Sequence, residues 1–239
     1  MSRLHTILLA ALLGTIPALC APVTWVDWTS GTAGTNGSAA GVLHLGSTDV
    51  DVTYTGEIQF LQTNGAGTYY WTQPDPSLLP YTSSLVDNAP PDADIIALSQ
   101  ATTKTLTFSQ PVDNLFFAVV SLNGNGYEFS QDFDIVSAGC GYWGCGSFVK
   151  ATGSGTYDLD ADTSGTGLGP EPHGVIRFEG AVSSITWTSL TAENWNGFTI
   201  GTYGLADDPT PEPESWGLAA LGLALVLFGR FRRKRSAEC

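Results

Sequence analysis

Three aspartates at alternate positions are the side chains in this sequence best suited to hold a metal ion. Asp158, Asp160 and Asp162 lie in the run Asp-Leu-Asp-Ala-Asp-Thr-Ser-Gly that ends at Gly165. In an extended chain alternate residues face the same side, so these carboxylates repel one another unless a cation or water lies between them. Carboxylate oxygens are ligands that calcium prefers, although the run lacks the sixth-position glycine and twelfth-position glutamate of an EF-hand loop. Two interpretations stay open, a calcium site and a solvated acidic edge.

Aromatic residues offer a second kind of chemistry, stacking on the flat faces of sugar rings. The rings that could serve this purpose are Tyr69, Tyr70, Trp71, Trp143 and Trp195. Of these, the tryptophans Trp71, Trp143 and Trp195 are the predicted carbohydrate contacts. The competing interpretation places most of these rings in the core or in an interface, because aromatic side chains bury large areas. The number of rings exposed together on one face distinguishes the two.

Two cysteines remain in the body of the chain once its two ends are set aside. Cys140 and Cys145 frame the run Gly141–Gly144, and we predict a disulfide between them because the export signals described below imply an oxidising compartment. Closing so short a loop stabilises the fold by about 2 kcal/mol. Its larger effect is to hold Tyr142 and Trp143 on a rigid tip. Redox catalysis would favour a Cys-x-x-Cys spacing, and a zinc site needs more ligands than this region contains.

Catalytic motifs give little support to an enzyme. The body has two histidines, His44 and His173, and it lacks a nucleophile elbow, an H-E-x-x-H helix, a phosphate loop and a Rossmann glycine pattern. Carboxylates are plentiful, so an acid pair of the glycosidase type stays open, but no feature of the sequence selects one pair. His173 follows two prolines in Gly169–Gly174, and we predict that it orders a turn rather than binding a metal.

The charge balance excludes one class of partner. Between residues 21 and 215 the basic side chains are Lys104, Lys150 and Arg177, against 22 acidic residues, which gives a net charge of −19. A nucleic-acid-binding surface needs a basic face, so nucleic acid is excluded as a partner. Such an acidic body suits a soluble extracellular protein or one that gathers divalent cations.

The first twenty residues have the pattern of a secretory signal peptide. Arg3 precedes the apolar run Ile7–Leu13, and Ala18 and Cys20 provide small residues at positions −3 and −1 before Ala21. We therefore predict that residues 1–20 direct export.

Three blocks of distinct composition form the C-terminal end. The linker, residues 205–210, leads into the proline-rich run Pro209–Ser215, which is a stiff extended spacer. We predict an apolar helix over residues 216–229. Its thirteen-residue apolar block, Trp216–Phe228, is roughly 20 Å long. That length is a marginal span for a bilayer core about 30 Å thick, and it improves if flanking arginines snorkel. A buried core helix is the alternative, but five cations directly after it argue against that.

The basic tail, residues 230–235, is expected on the cytoplasmic side of the membrane. Together with the proline motif and the apolar helix, it resembles the PEP-CTERM sorting signal of bacterial exosortase substrates. The resemblance covers about residues 211–235. Its motif residues here are Pro211, Glu212, Pro213, Arg230, Arg232, Arg233, Lys234 and Arg235.

This resemblance implies three things about the fate of the chain. An exosortase-type membrane protease would recognise the tail while the C-terminal helix lies in the inner membrane. Cleavage would fall near the Pro-Glu-Pro motif. The body would then reach the cell envelope or the extracellular polymer matrix.

The body, residues 21–204, reads as one all-β domain. Val50, Val52 and Tyr54 alternate with polar residues, as expected of a strand with one buried face. Leu115–Leu122 is nearly continuously apolar and is followed by Asn-Gly-Asn-Gly, which predicts a hairpin with Tyr127–Val136 as the partner strand. Strands at this spacing favour an antiparallel β-sandwich of the jelly-roll type.

Two further stretches of the body have interpretable patterns. Pro74–Pro91 contains five prolines and reads as a long surface loop. Phe108–Phe117 and Phe178–Trp187 share one pattern, which we interpret as strand, short turn and strand in each. They are either a duplicated hairpin or two ordinary hairpins, and we favour the second.

The function that these features favour is that of an exported, non-catalytic protein with a structural or adhesive role at the bacterial cell surface or in its matrix. The alternative is a secreted carbohydrate-binding module, and a glycan-active hydrolase ranks third. No cofactor is predicted apart from the calcium ion discussed above. The expected partners are the exosortase-type protease, the inner membrane and an extracellular polysaccharide.

Overall fold

The computed structural model describes residues 22–73, 75, 78–164 and 169–206. The predicted signal peptide, the end of the linker and the whole predicted sorting signal lie outside these residues. Within them, no helix is long and apolar enough to cross a membrane.

The described part of the chain is built from strands. They are β1 Thr24–Trp25, β2 Asp27–Thr32, β3 Gly34–Leu45, β4 Thr48–Ile58, β5 Phe60–Gln62, β6 Ile95–Leu98, β7 Thr103–Val120, β8 Tyr127–Phe129, β9 Asp134–Gly139, β10 Phe148–Thr152, β11 Tyr157–Ala161, β12 His173–Ser189, β13 Asn196–Thr202 and β14 Gly204–Leu205. Every pairing between them is antiparallel, and the pairings join all of them in one hydrogen-bonded sheet. The prediction of an all-β antiparallel body is confirmed. Because β14 pairs with β7, the start of the predicted linker at residue 205 belongs to the sheet.

Strand β4 shows how the residue pattern gives the sheet one buried face and one exposed face. Val50, Val52 and Tyr54 are fully buried or nearly so, while Asp51 and Thr53 between them are exposed. Successive side chains of a strand point to opposite faces, so this alternation puts one face in the core and the other in solvent.

Two long strands organise the sheet. β7 and β12 pair with each other along most of their length, from Gly174 opposite Val119 to Thr188 opposite Thr103. The first half of β7 also pairs with β4, whereas its second half pairs with β13. Each of the two strands therefore connects two groups of neighbours.

Each long strand bends at its middle. In β7 the bend includes Asn114, whose φ is +52°, and in β12 it includes Gly180, whose φ is +79°. Left-handed backbone is natural for glycine and tolerated by asparagine. The register between the strands also shifts between Phe178 and Ala181, as expected of a β-bulge that re-aims a strand.

These bends correct the interpretation of the repeated pattern. Phe108–Phe117 and Phe178–Trp187 are not hairpins but the middle portions of the two continuous strands. Val112 and Val182, which occupy equivalent places in the pattern, lie opposite each other in the sheet. The two segments have similar sequences because they pair with each other, and both strands bend at the place where they are paired.

The main core lies where the bent sheet brings its two parts together. Phe117 stacks on Phe198 with ring centroids 4.7 Å apart and contacts Trp187 edge-on at 5.3 Å. Tyr54 of β4 lies 5.6 Å from Phe198 of β13, although those strands pair with different halves of β7. Burying each such ring contributes about 2 kcal/mol or more, and each aromatic pair adds about 1 kcal/mol.

A second, smaller core lies on the other face of β7. There Phe116 is covered by Trp71, Tyr81 and Val86, all fully buried. The prediction that Pro74–Pro91 is a surface loop is therefore wrong for part of its length. None of its described residues belongs to a strand, but its buried residues Tyr81 and Val86 pack in this core.

The predicted hairpin after β7 is also absent. β7 ends at Val120, and Tyr127–Val136 is divided between β8 and β9, which both pair with β12. A strand has two edges, and the end of β7 already has β12 on one edge and β13 on the other. The returning chain therefore adds to the free edge of β12.

Candidate functional site

The predicted disulfide between Cys140 and Cys145 is present. The two cysteines face each other as an isolated antiparallel bridge, and the amide of Gly141 donates to the carbonyl of Gly144 at 2.8 Å. The loop between β9 and β10 is thereby closed into a tight turn. At its tip Tyr142 and Trp143 are 41% and 45% exposed.

His173 supports this loop from below. Its ring occupies the place where a Cβ on Gly141 would come within 2.2 Å, so only glycine fits there. The ring is fully buried, and its Nδ1 lies 3.1 Å from the hydroxyl of Tyr81. Burial disfavours the charged form and lowers the pKa of His173 to about 4. His173 begins strand β12. The prediction that it orders a turn is therefore wrong.

Five rings meet beside the disulfide loop, and we call them the aromatic cluster. Its members are Phe60, Tyr70, Tyr142, Trp143 and Trp195. The ring of Tyr70 lies 5.1 Å from those of Tyr142 and Trp143, and the ring of Trp143 lies 4.6 Å from that of Trp195. Four separate segments of the chain contribute to the cluster.

The rings of the cluster are packed against one another yet not covered. Most of the contacts are edge-to-face, which is a favourable geometry for aromatic pairs. Tyr142 and Trp143 are exposed, and Tyr70 and Trp195 are half-buried. The outcome is a partly solvent-facing aromatic surface held by a disulfide.

The structure places the three predicted sugar contacts in two different environments. Trp143 and Trp195 belong to the cluster, but Trp71 is fully buried, and its Nε1 donates to the carbonyl of Asp94 at 3.2 Å. Trp71 cannot stack on a ligand, which corrects its assignment. Tyr69 is 38% exposed, and its hydroxyl donates to the carbonyl of Pro90.

One glutamate that the sequence did not single out, Glu171, flanks the cluster. Its carboxylate lies against Gly144, next to Trp143, at the place where a Cβ would come within 2.6 Å of its Oε2. Its Oε1 accepts from the Ser121 hydroxyl at 2.6 Å. A second glutamate, Glu193, lies two residues before Trp195, and its carboxylate accepts from Asn196 Nδ2 at 2.5 Å.

These two carboxylates interact electrostatically. Burial, reinforced by the charge of Glu171, raises the pKa of Glu193 to about 7. The sequence contained a weak signal for both, since Glu171 lies between two prolines and Glu193 lies two residues before Trp195, just ahead of β13. Only the folded chain brings the two carboxylates within electrostatic range of each other.

The three aspartates do not form a metal site of recognisable geometry. Asp158 and Asp160 lie in β11, where burial raises the pKa of each. Asp162 follows the strand, and hydrogen bonds from the side chain of Ser164 and then from its amide, which lies 2.8 Å from Oδ1, lower the pKa of Asp162. No group of three or more His, Cys, Asp or Glu among the described residues is arranged to hold an ion. The calcium prediction gains no geometric support.

Comparison of this chain with protein-family models, with curated proteins and with solved structures finds no match. The aromatic cluster, with Glu171 beside it, is the feature from which a function is inferred.

Proposed function

We propose that this chain is an exported, non-catalytic protein of the bacterial cell surface or extracellular matrix, and that its body adheres to a polysaccharide through the aromatic cluster. The observation that carries the proposal is the partly exposed group of rings around Tyr142 and Trp143 on a loop closed by a disulfide. The alternative function, a secreted carbohydrate-binding module, would use the same aromatic cluster. It differs from the proposal only in what happens to the C-terminal tail.

The cluster has the physical properties that a sugar ring needs. A pyranose presents apolar C–H faces and polar edges, which match the face of a tryptophan and the hydroxyls and carboxylates around it. Tyrosine and tryptophan provide large contact areas with few rotatable bonds. Because the rings already contact one another and the loop is covalently closed, little conformational entropy is lost when a ligand binds.

Export and sorting are supported by separate features of the chain. Disulfides persist in oxidising compartments, which agrees with the signal-peptide pattern of residues 1–20. The tail, residues 211–235, directs the chain to an exosortase-type protease in the inner membrane. We further infer that the bent antiparallel sheet is a β-sandwich of the jelly-roll type, whose two layers enclose the core around Phe117.

The test is a glycan array followed by titration calorimetry on the full chain purified in detergent. Trp143→Ala should weaken binding of the selected glycan at least tenfold, about 1.4 kcal/mol, because it removes the most exposed ring of the cluster. Its melting temperature should fall only modestly, because the substitution removes ring contacts with Tyr70, Tyr142 and Trp195 but leaves both buried cores in place. Val149→Ala, which alters a similarly exposed apolar side chain on β10, is the matched control and should bind normally.

Absence of binding to every glycan would contradict the proposal, and so would normal binding by Trp143→Ala. The hydrolase alternative has one observation in its favour, the raised pKa of Glu193 beside a second carboxylate, as in a general acid. Assaying the same samples for newly released reducing ends decides between adhesion and hydrolysis.

A further inference from the structure

We propose that the polysaccharide bound at the aromatic cluster is cationic, an amino-sugar polymer whose amines carry positive charge, rather than a neutral or acidic glycan. This inference rests on the proposed function and names the chemical class of its ligand.

The first argument is that the body has no free cation to receive an acidic sugar. Lys104 is fully buried, and its Nζ donates to the carbonyls of Gln100 and Thr102 at 2.7 Å each and to the Ser189 hydroxyl at 2.8 Å. These three bonds engage all the protons of the ammonium group. It cannot reach a ligand on the surface.

The two other basic side chains between residues 21 and 206 are also engaged. Lys150 pairs with Asp132 and lies over the ring of Phe133. Arg177 pairs with Asp134 at 2.7 Å. Neither contacts the cluster, so a uronate or sulfate group placed there would meet no positive partner. It would instead face carboxylates, and like charges repel.

The second argument is that the cluster attracts positive charge. The face of a tryptophan or tyrosine ring is electron-rich and binds cations within about 6 Å of its centroid. Trp143 and Trp195 present such rings, and the carboxylate of Glu171 lies against Gly144, the residue that follows Trp143. A ligand amine can therefore contact a ring face and a carboxylate together.

The third argument concerns the whole body, whose net charge is −19 between residues 21 and 215. A strongly acidic protein raises the local concentration of cationic ligands and lowers that of anionic ones. An amino-sugar polymer offers the pyranose face for stacking and the amine for the carboxylate in every unit. A basic peptide offers only the charge.

The experiment compares probes that share a β-1,4-linked glucosamine backbone of six units. One carries N,N,N-trimethylated amines, which stay charged at every pH, and one carries N-acetylated amines. A galacturonate hexamer provides the anionic case. Calorimetry on the full chain in detergent should give at least tenfold tighter binding of the trimethylated probe than of the acetylated one, and no binding of galacturonate.

Variants identify the site of this selectivity. Glu171→Gln keeps an acceptor for Ser121 and should weaken only the trimethylated probe, at least threefold. Glu179→Gln removes the same charge at an exposed position that lies 3.9 Å from Arg177, and should bind like the wild type. Trp143→Ala should weaken both glucosamine probes.

Each outcome bears on one claim. Equal or tighter binding of the acetylated probe overturns the charge inference but leaves the proposed function intact. A lysine hexapeptide that binds as tightly as the trimethylated sugar overturns the sugar part of the inference, as does full binding of that sugar by Trp143→Ala. If no probe and no glycan binds, the proposed function itself fails.

Discussion

His173 is a buried titratable side chain directly beneath the disulfide loop. Its pKa of about 4 lies below the ordinary value of 6.5 because the ring is enclosed. Protonation therefore favours the unfolded chain. The stability that depends on neutral His173 is fully present above about pH 6.5 and is lost as the pH falls toward 4.

His173→Asn should remove this pH dependence. Between pH 7 and pH 4.5 the free energy of unfolding of the wild type should fall relative to that of the variant by about 2 to 3 kcal/mol, since each pKa unit corresponds to about 1.4 kcal/mol. Urea denaturation of both proteins at the two pH values measures the difference. Parallel pH profiles would show that His173 does not titrate as its burial implies.

Two carboxylates act in the opposite direction and have to be separated from this effect. Burial raises the pKa of Asp94 to about 6 and that of Glu193 to about 7. Their contributions to stability are present at low pH and are lost as the pH rises through those values. Both groups are shared by the wild type and His173→Asn, so they cancel in the comparison.

Among the elements, the loop Cys140–Cys145 contributes both to the stability of the fold and to the aromatic cluster. It carries two rings of the aromatic cluster, Tyr142 and Trp143, and packs on His173 through Gly141. Its covalent closure limits the conformations of the loop in the unfolded chain and keeps the exposed rings in place.

The double substitution of Cys140 and Cys145 by serine should lower the free energy of unfolding by about 2 kcal/mol, the amount expected for so short a closed loop. The affinity for the ligand should also fall. The loss of binding free energy should exceed the loss of unfolding free energy, because the exposed rings lose their fixed position. Thermal melting and calorimetry measure the two effects. Full retention of affinity would show that packing alone, without the disulfide, holds the tip.

In the molecule as a whole, the last described residues are hydrogen-bonded within the sheet of the body. β14 pairs with β7, and the amide of Ala206 donates to the carbonyl of Pro111 at 3.1 Å. β1 pairs with the end of β13, so the first and last strands of the described body lie near each other.

Deletion of Trp216–Cys239 should therefore yield a folded, detergent-free body with an unchanged melting temperature, because the contacts of both cores lie within residues 22–206. Differential scanning fluorimetry of the truncated and full chains provides the measurement. A truncated chain that aggregates or melts earlier would make the tail part of the fold rather than a sorting signal.

The features readable from the residue pattern alone are those that neighbouring residues determine. The alternation of Val50, Val52 and Tyr54 predicts a strand, because the side-chain period of a strand is two. Cys140 and Cys145 are five residues apart, so their pairing needs only a local turn. The composition also predicts an antiparallel all-β body, which the sheet confirms.

Long-range pairing settled the remaining features. Tyr70, Trp143 and Trp195 are more than fifty residues apart in the chain, and no local periodicity places them in contact. Trp71 is buried although its neighbour Tyr70 is partly exposed, because the segment that holds both covers the second core. The repeated pattern likewise has the composition of a hairpin, yet it bends a continuous strand, since its partner strand runs past the bend. Such outcomes depend on which edges and faces are already occupied, and that is a property of the assembled sheet rather than of any one stretch.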